Sequence, residues 1–272
     1  MADATTPRTS SSIPPELPAE QRELFHRVLT VLNECGVSYA VAGAFALQQH
    51  TGIWHPTKDL DISLAADCVK RALRCLQADG FTCEVLDPVW LAKAYRGEFF
   101  VDLISGMSNG VIAVDQIWMD RSRFGSVVGI PVRVLAPEEL LASKLFVTRR
   151  ERFDGADIAH IVYSLGERLE WQRLLDILGE HDQLLLWALM FFAYIYPAQV
   201  RLVPTAIWKM LLDRFREAIE HPDPRAQFRG SLIDPHLFAI DVDEWGFEDQ
   251  LTKYRSRRVR ENSNRWESER NL

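Results

Sequence analysis

Several common signatures of enzymes and binding proteins are missing from this sequence. It has no Walker phosphate-binding loop and no Gly-x-Gly-x-x-Gly, so a P-loop or dinucleotide-binding fold has no motif to support it. The seven histidines never occur at a ligand spacing such as His-x-x-x-His, which predicts that zinc is not bound. The formal net charge of -7 argues against a surface that binds polyanions over its whole extent, but it leaves room for a local basic patch.

Cysteine is scarce, and no two cysteines form a Cys-x-x-Cys pair. All four, at positions 35, 68, 75 and 83, lie within one third of the chain, and no apolar signal segment follows the first residues. These features predict reduced thiols in a cytoplasmic protein. Cys68 and Cys75 are seven positions apart in a predicted helix, where we expect them to act as small apolar residues of a buried face.

Long apolar segments are also missing. The longest run, residues 184–196, is well short of the roughly 20 residues that a bilayer-spanning helix requires, so no membrane partner is expected. A helix that is apolar all round is normally buried in a bundle. The run therefore predicts the central helix of a helical domain, with an interface helix as the alternative.

The pattern of the chain changes near residue 136. Residues 1–19 are rich in Ser, Thr and Pro, which predicts a disordered leader. Residues 20–136 alternate strand and helix patterns, whereas 137–245 contain only helical patterns, the first at 137–150. A charged tail occupies 246–272. We therefore predict an α+β fold with a small mixed β-sheet and flanking helices, followed by an all-helical domain.

Two aspartates stand at alternate positions of an apolar strand, in Asp59-Leu60-Asp61-Ile62. Residues two apart in a strand point to the same face, so both carboxylates project together from positions roughly 6.5–7 Å apart. Such paired anions repel each other and need a cation or a basic side chain near an apolar sheet. A Mg²⁺ ion shared with substrate phosphates meets this need, while a solvated strand end or a salt-bridge site is the alternative.

A third acid, Asp102, lies inside the apolar stretch EFFVDLIS. In a strand it shares one face with Phe100 and Ile104, and its neighbours on either side point to the other face. If this strand pairs with the strand of Asp59 and Asp61, three carboxylates converge. Three carboxylates are enough to hold two metal ions about 3.5–4 Å apart and to activate an attacking hydroxyl.

The order of these features resembles the nucleotidyltransferase superfamily, which includes DNA polymerase β, the aminoglycoside and lincosamide nucleotidyltransferases and the AbiEii-type toxins. The bacterial members that it is most similar to have Gly-Gly-x-Ala, a helix, and Gly-x-x-Arg-x-Thr-x-Asp-Ile-Asp-Leu. The corresponding residues here are Gly43-Ala44-Phe45-Ala46, Gly52, His55, Thr57 and Asp59-Leu60-Asp61. The resemblance covers about half of the chain and is far more specific than Asp-x-Asp alone.

The resemblance implies a transferase that moves NMP from an NTP such as ATP to an acceptor hydroxyl and releases pyrophosphate. Asp59, Asp61 and Asp102 would be the catalytic acids and would bind two Mg²⁺ ions, with Mn²⁺ as the alternative metal. Gly43 and Ala44 would bind the triphosphate at a helix N-terminus. Thr57 and His55 belong to the same motif.

Two positions depart from the family pattern. Ala44 replaces a Gly or Ser and loses any hydroxyl contact, while keeping its backbone donor. His55 replaces an Arg and is largely neutral at pH 7, which weakens the interaction with phosphate. These departures favour an alternative in which the fold only binds nucleotide or a partner. Retention of all three acids favours catalysis, because an idle set of buried carboxylates is costly.

The second half adds a lysine and a short charged segment. In similar proteins a Pro-Glu-x-Leu, Lys, Arg-x-x-Asp pattern follows the sheet, which implies that Lys144 faces the nucleotide and that Arg152, Asp154 and Asp157 lie near it. The alternatives are an exposed lysine, and a helix N-cap at Asp154 followed by a first-turn acid at Asp157.

The acceptor is left open by the sequence. RNA or tRNA, a protein side chain and a small molecule such as an antibiotic all remain candidates. The tail concentrates positive charge between residues 253 and 260, which predicts either a solvated helix or disordered end, or an arm that contacts RNA.

Overall fold

The computed structural model describes residues 17–149 and 151–268 of the 272-residue chain. Most of the predicted leader, residue 150 and the last four residues of the tail lie outside these described residues. Within them, the predicted mixed α/β organisation is confirmed, with one large mixed sheet in the first half and helices in the second.

Among the described residues, the first half contains seven strands and four helices. They are α1 (Ala19–Glu34), β1 (Ala40–Val41), α2 (Gly43–Thr51), β2 (Asp59–Ser63), α3 (Ala66–Ala78), β3 (Thr82–Asp87), β4 (Leu91–Arg96), β5 (Phe99–Ile104), α4 (Gln116–Arg121), β6 (Arg123–Val127) and β7 (Ile130–Val134). The strands form one sheet in the order β3-β4-β5-β2-β1-β7-β6. β2 is parallel to β5, and β1 is parallel to β7, while the other neighbours are antiparallel.

The centre of the sheet has one apolar face and one acidic face. Leu60 and Ile62 of β2 and Val101 and Leu103 of β5 are fully buried, and α1 and α3 pack against the sheet and each other. The alternate positions carry the aspartates and are only partly buried. The period of two therefore sorts hydrophobic residues into the core and places the carboxylates opposite them.

In the part of the second half that the structure describes, the chain is helical apart from one small hairpin. Its elements are α5 (Pro137–Leu145), β8 (Thr148–Arg149), β9 (Arg152–Phe153), α6 (Gly155–Leu165), α7 (Trp171–Leu178), α8 (Asp182–Ile195), α9 (Thr205–Glu220), α10 (Gly230–Ile233), α11 (Ala239–Asp243) and α12 (Gln250–Ser268). The helix predicted over 137–150 is too long, because the chain leaves the helix after Leu145 and forms the β8–β9 hairpin. Local helical spacing does not reveal this turn.

Two adjacent glutamates of α5 join it to α7. Glu138 accepts a hydrogen bond of 2.8 Å from the backbone N–H of Glu170, the residue before α7. Glu139 is fully buried and accepts 3.0 Å from Nε of Arg173. Burial raises the pKa of Glu139, while the hydrogen bond and charge of Arg173 oppose that rise. The helices are thus held together by a buried ion pair as well as by apolar contact.

α8 is the predicted apolar helix, but it is not buried on all sides. Its buried residues, among them Leu185, Leu189 and Phe192, form one face, and α8 packs against α6 and α9. Met190 and Tyr194 are exposed on the other side. α8 therefore packs against other helices of this half through one face and exposes apolar residues on the other, so the central helix and the interface helix both stay predictions.

The predicted tail contains the long helix α12, which docks on the first half. Arg255 lies 3.0 Å from Asp87 in an ion pair, and Arg258 is buried and donates to the carbonyl of Gly110 at 3.3 Å. Asn262 donates to the carbonyl of Pro88 at 2.9 Å. Part of the positive charge of the tail therefore holds the two halves of the chain together.

Cys35 and Cys75 form a disulfide bond between the end of α1 and α3, across a Cα separation of 6.6 Å. The prediction of reduced thiols is wrong for this pair. Because the two residues come from different helices, the absence of a Cys-x-x-Cys pattern gave no information about their distance. Separately, among the described residues, no helix is long and apolar enough to cross a membrane.

The α5–α7 ion pair makes a testable contribution to stability. We expect Arg173→Ala to lower the free energy of unfolding by about 3 kcal/mol at neutral pH, because it leaves the carboxylate of Glu139 buried without its partner. Urea unfolding followed by circular dichroism measures this change. Arg168→Ala is the matched control, because that side chain is exposed and donates to a backbone carbonyl of its own segment. Equal losses in both variants would contradict the assignment.

Candidate active site

The candidate site begins with three carboxylates on two neighbouring strands. Asp59 and Asp61 are on β2, Asp102 is on β5, and the parallel register places Asp61 directly opposite Asp102. One ligand oxygen from each lies within 4.8 Å of the other two. The condition posed by the sequence, that the two strands pair, is therefore met. All three donors are oxygens, the ligand type that Mg²⁺ and Mn²⁺ prefer.

A glycine allows α2 to begin against these acids. Gly43 has φ +53, and a Cβ at this position would lie 1.8 Å from Oδ2 of Asp61. Both the left-handed backbone and the close approach therefore require glycine. The first turn of α2, which includes Ala44, has backbone N–H groups with no acceptor inside the helix. The motif thus places anion-binding donors beside the carboxylates.

Thr57 orients the first acid from the loop before β2. Its hydroxyl donates a short hydrogen bond to Oδ1 of Asp59. Its carbonyl in turn accepts 3.0 Å from the side-chain amide of Gln21 on α1. The loop conformation and the direction of the Asp59 carboxylate are therefore linked.

The charges of the acids are only partly balanced. Burial, together with the charges of Asp59 and Asp102, raises the pKa of Asp61 to about 7, against an opposing effect of Arg152 and Lys144. Burial also raises the pKa of Asp102, and its ion pair with Lys93 opposes this rise. The cluster therefore lacks positive charge, as expected for a site that receives a cation.

Lys93 is a site residue that the sequence analysis missed. It is opposite Asp102 in the antiparallel β4–β5 pair, and its Nζ lies 2.9 Å from Oδ1 of that aspartate. The ammonium also lies 3.7 Å from the centre of the Phe100 ring. The strands turn at Gly97-Glu98, which pairs Lys93 with Asp102, whereas a turn one residue earlier, at Arg96-Gly97, would pair Lys93 with Phe100. The sequence pattern does not fix the turn to within one residue, so it could not place Lys93 at the site.

The remaining predicted site residues form a second network in the helical half. Lys144 on α5 is buried, with Nζ 3.0 Å from Oδ2 of Asp154 and 2.6 Å from Oδ2 of Asp157. Arg152 donates through Nε to Oδ1 of Asp154 at 2.9 Å. Burial raises the pKa of Asp154, but its hydrogen bond to Arg152 and the charge of Lys144 outweigh this effect and lower it.

The structure decides between the alternatives for this segment. Lys144 is buried and is not an exposed lysine. Asp154 is the N-cap residue of α6 and Asp157 lies in its first turn, as the other alternative predicts, although Asp154 makes no side-chain capping hydrogen bond. His55 lies at the edge of the same network, with Nε2 3.4 Å from Oδ1 of Asp157. Because Lys144 and Arg152 both affect the pKa of Asp61, this network is close to the acids. A role for it in binding nucleotide stays a prediction.

The sequence also contains a pattern that is typical of hydrolases. Residues 106–110 read Gly-Met-Ser-Asn-Gly, the Gly-x-Ser-x-Gly spacing of a hydrolase nucleophile elbow. An elbow requires a sharp turn from strand directly into helix. Here Gly106 instead forms a bridge with Ala113, and the next helix, α4, begins only at Gln116. The local structure therefore does not support a hydrolase site.

No family model and no curated protein matches the chain. Solved structures with a similar fold include the antibiotic-resistance factor ANT(2'')-Ia, at 16% identity and TM-score 0.40 over 67% of this chain and 96% of that one. The lincosamide antibiotic adenylyltransferase LnuA, bound to lincomycin, is 15% identical at TM-score 0.37 over 54% of this chain and 98% of its own. A tRNA-processing enzyme is 12% identical at TM-score 0.34 over 94% and 78%. Similarity at this level does not assign an activity to the chain.

Gly43 provides a direct test of the site geometry. We expect Gly43→Ala to abolish Mg²⁺-dependent binding of NTP, because the added Cβ would overlap the Asp61 carboxylate. Isothermal titration of ATP with Mg²⁺ measures the effect. Gly97→Ala is the control, because Gly97 also has a positive φ, of +66, but a Cβ there meets nothing within 4 Å. Similar affinities for Gly43→Ala and the unmodified protein would show that Gly43 is not at the binding site.

The raised pKa of Asp61 predicts a pH-dependent cost in stability. An unfolded aspartate titrates near pH ~3.9, so the folded protein, with a pKa of about 7, favours the neutral acid. The stability contributed by Asp61 is therefore fully present below about pH 4 and is lost as the pH rises through about 7.

We expect Asp61→Asn to remove this dependence. In EDTA, the Tm of the variant minus the Tm of the unmodified protein should be larger at pH 8 than at pH 5. Asp67→Asn on the exposed side of α3 is the control and should show the same Tm difference at both values. A constant difference for Asp61→Asn would mean that the charge of Asp61 is not destabilising.

Proposed function

We propose that this protein is a metal-dependent nucleotidyltransferase, which moves NMP from an NTP to an acceptor hydroxyl and releases pyrophosphate. The observation that supports it most is the convergence of Asp59, Asp61 and Asp102 beside the glycine-initiated end of α2. Acids and anion-binding backbone donors in one place suit a substrate that arrives as a metal–phosphate complex.

The three acids are suited to hold Mg²⁺. They offer oxygen ligands from two rigid strands. The pKa of Asp61 is raised first by burial and then by the charges of Asp59 and Asp102, and a bound divalent ion would offset both effects. When bound, the metal would neutralise charge on the reacting phosphates. Mn²⁺ fits the same donors.

The rest of the reaction depends on where this chain places the substrates. The N–H groups at the start of α2 would bind phosphate oxygens and hold the α-phosphorus in line with the acceptor hydroxyl. Asp102 would accept or orient the hydroxyl proton, and burial suits it to this role because its raised pKa makes it a better base. Lys93 would keep that carboxylate in place through its contact at Oδ1.

The helical half would contribute the opposite side of the site. Lys144 is fixed by Asp154 and Asp157, so its ammonium does not lose side-chain entropy when it meets a phosphate. Arg152 has an exposed side chain and extends from the same network. Both add positive potential near Asp61, which favours an incoming polyphosphate.

We place the reaction in the cytoplasm.

The exposed basic residues of the tail are relevant to the identity of the acceptor. Arg255 and Arg258 are engaged with the first half of the chain, whereas Lys253, Arg257 and Arg260 are exposed on α12. Residues 253, 257 and 260 lie on one face of a helix. An RNA acceptor would use this face, and an antibiotic or other small acceptor would not need it.

The proposal is tested by transfer of label from α-³²P-NTPs, with Mg²⁺ and separate acceptor pools of total RNA, protein and aminoglycosides. We expect Asp61→Asn and Asp59→Asn to reduce transfer by at least about a thousandfold, since loss of a metal-holding acid removes several kcal/mol of transition-state stabilisation. Asp67→Asn is the control for a carboxylate outside the site.

Release of pyrophosphate, measured in the same reactions, separates transfer from simple binding. NTP binding with no transfer to any pool would favour the alternative, a protein that binds nucleotide without catalysis. Unchanged turnover in both active-site variants would overturn the proposed site.

A further inference from the structure

A second cluster of metal-binding side chains lies outside the acidic site. His55, from the loop between α2 and β2, meets Asp157 and His160 on α6, and one ligand atom of each lies within 4.8 Å of the other two. Asp157 and His160 are three positions apart, so they lie on the same side of the helix. The two histidines are distant in sequence, which is why histidine spacing gave no indication of this site.

The donors differ in kind from those of the acidic site. Two imidazoles and one carboxylate form the set used by zinc and related ions, whereas Mg²⁺ prefers oxygen ligands alone. Three protein ligands leave a coordination position open for water or a substrate atom. Zinc bonds of roughly 2 Å need donor atoms about 3–4 Å apart. The His55 side chain is 48% exposed and has room to make the small adjustment that this requires.

Two further features of these side chains suit a metal site. Oδ2 of Asp157 lies 2.6 Å from Lys144 Nζ, which fixes the carboxylate, and Oδ1 is the oxygen that faces His55. Carboxylate ligands are commonly oriented by such an outer hydrogen bond. Nδ1 of His160 is buried and has no hydrogen-bond partner among the described residues, an arrangement that is costly unless the ring has another interaction.

We propose that His55, Asp157 and His160 bind a divalent transition metal of the zinc class, at a site separate from the three catalytic acids. Such an ion would link the loop before β2 to α6. The proposal goes beyond the proposed function, because it concerns a different metal and different ligands. It holds or fails whether or not the protein transfers nucleotides.

Co²⁺ is a suitable probe, because it replaces Zn²⁺ and absorbs strongly in the visible range when it is four-coordinate with nitrogen ligands. The experiment uses untagged full-length protein stripped with a chelator, with Mg²⁺ in excess to occupy the acidic site. All proteins carry His221→Ala, which removes a histidine from the exposed group of Glu217, Glu220 and His221 at the end of α9. Co²⁺ is titrated, and Zn²⁺ is then added in competition.

We expect one Co²⁺ per chain with strong visible absorption, displaced by Zn²⁺. His55→Ala and His160→Ala should each weaken binding at least tenfold, and Asp61→Asn should leave the spectrum unchanged. His26→Ala is the matched control, because His26 is exposed on α1 and lies outside these groups. Circular dichroism checks that each variant is folded.

His55→Ala keeps the test decisive if His160→Ala does not fold, because His55 is on a loop and half exposed. Absence of the visible band in the protein with both histidines intact would overturn the proposal. So would a band that forms with unchanged Co²⁺ affinity in His55→Ala, or one that disappears in Asp61→Asn, since the latter would place the ion among the acids. Loss of nucleotide transfer alone in any variant would not bear on it.

Discussion

Repulsion among three carboxylates is the constraint on which the candidate site depends. Asp59, Asp61 and Asp102 are held close together by the parallel pairing of β2 and β5, and the strands cannot separate them without exposing the apolar residues on their other face. Burial is the largest cause of the raised pKa of Asp61, and the charges of Asp59 and Asp102 add to it. A protein retains such strain at a site when a bound cation relieves it.

The surrounding basic residues reduce the repulsion without removing it. Lys93 contacts Asp102 directly, whereas Lys144 and Arg152 act on Asp61 through their charge and are themselves tied to Asp154. Because Lys144 and Arg152 are paired with Asp154, they offset only part of the negative charge of the three acids and are held in fixed positions. The basic residues that affect the acids come from both halves of the chain, since Lys93 belongs to the sheet and Lys144 to the helical half.

Contacts across the predicted boundary near residue 136 are extensive. α2 packs against α5 and α6, so the helix that begins beside the acids also contacts the helical half. At the other end of the chain, α12 returns to pack on α3. The same α6 supplies Lys144 with its partner Asp157 and places His160 beside His55. The position of α6 therefore affects both the candidate active site and the proposed second metal site.

The sequence by itself determined the alternation of Asp59 and Asp61, the face shared by Asp102, the mainly helical character of the second half and the glycine at the start of α2. These features are local, because they follow from a period of two in strands, a period of 3.6 in helices and the steric freedom of glycine. Only the tertiary structure decided that β2 pairs with β5 in register, that α5 ends in a hairpin and that Lys144 is buried between two acids. The tertiary structure also decided that Cys35 bonds to Cys75, that α8 is partly exposed and that His55 lies beside His160. Each depends on which distant segments come into contact, and such contacts arise from the packing of the whole chain rather than from any local pattern.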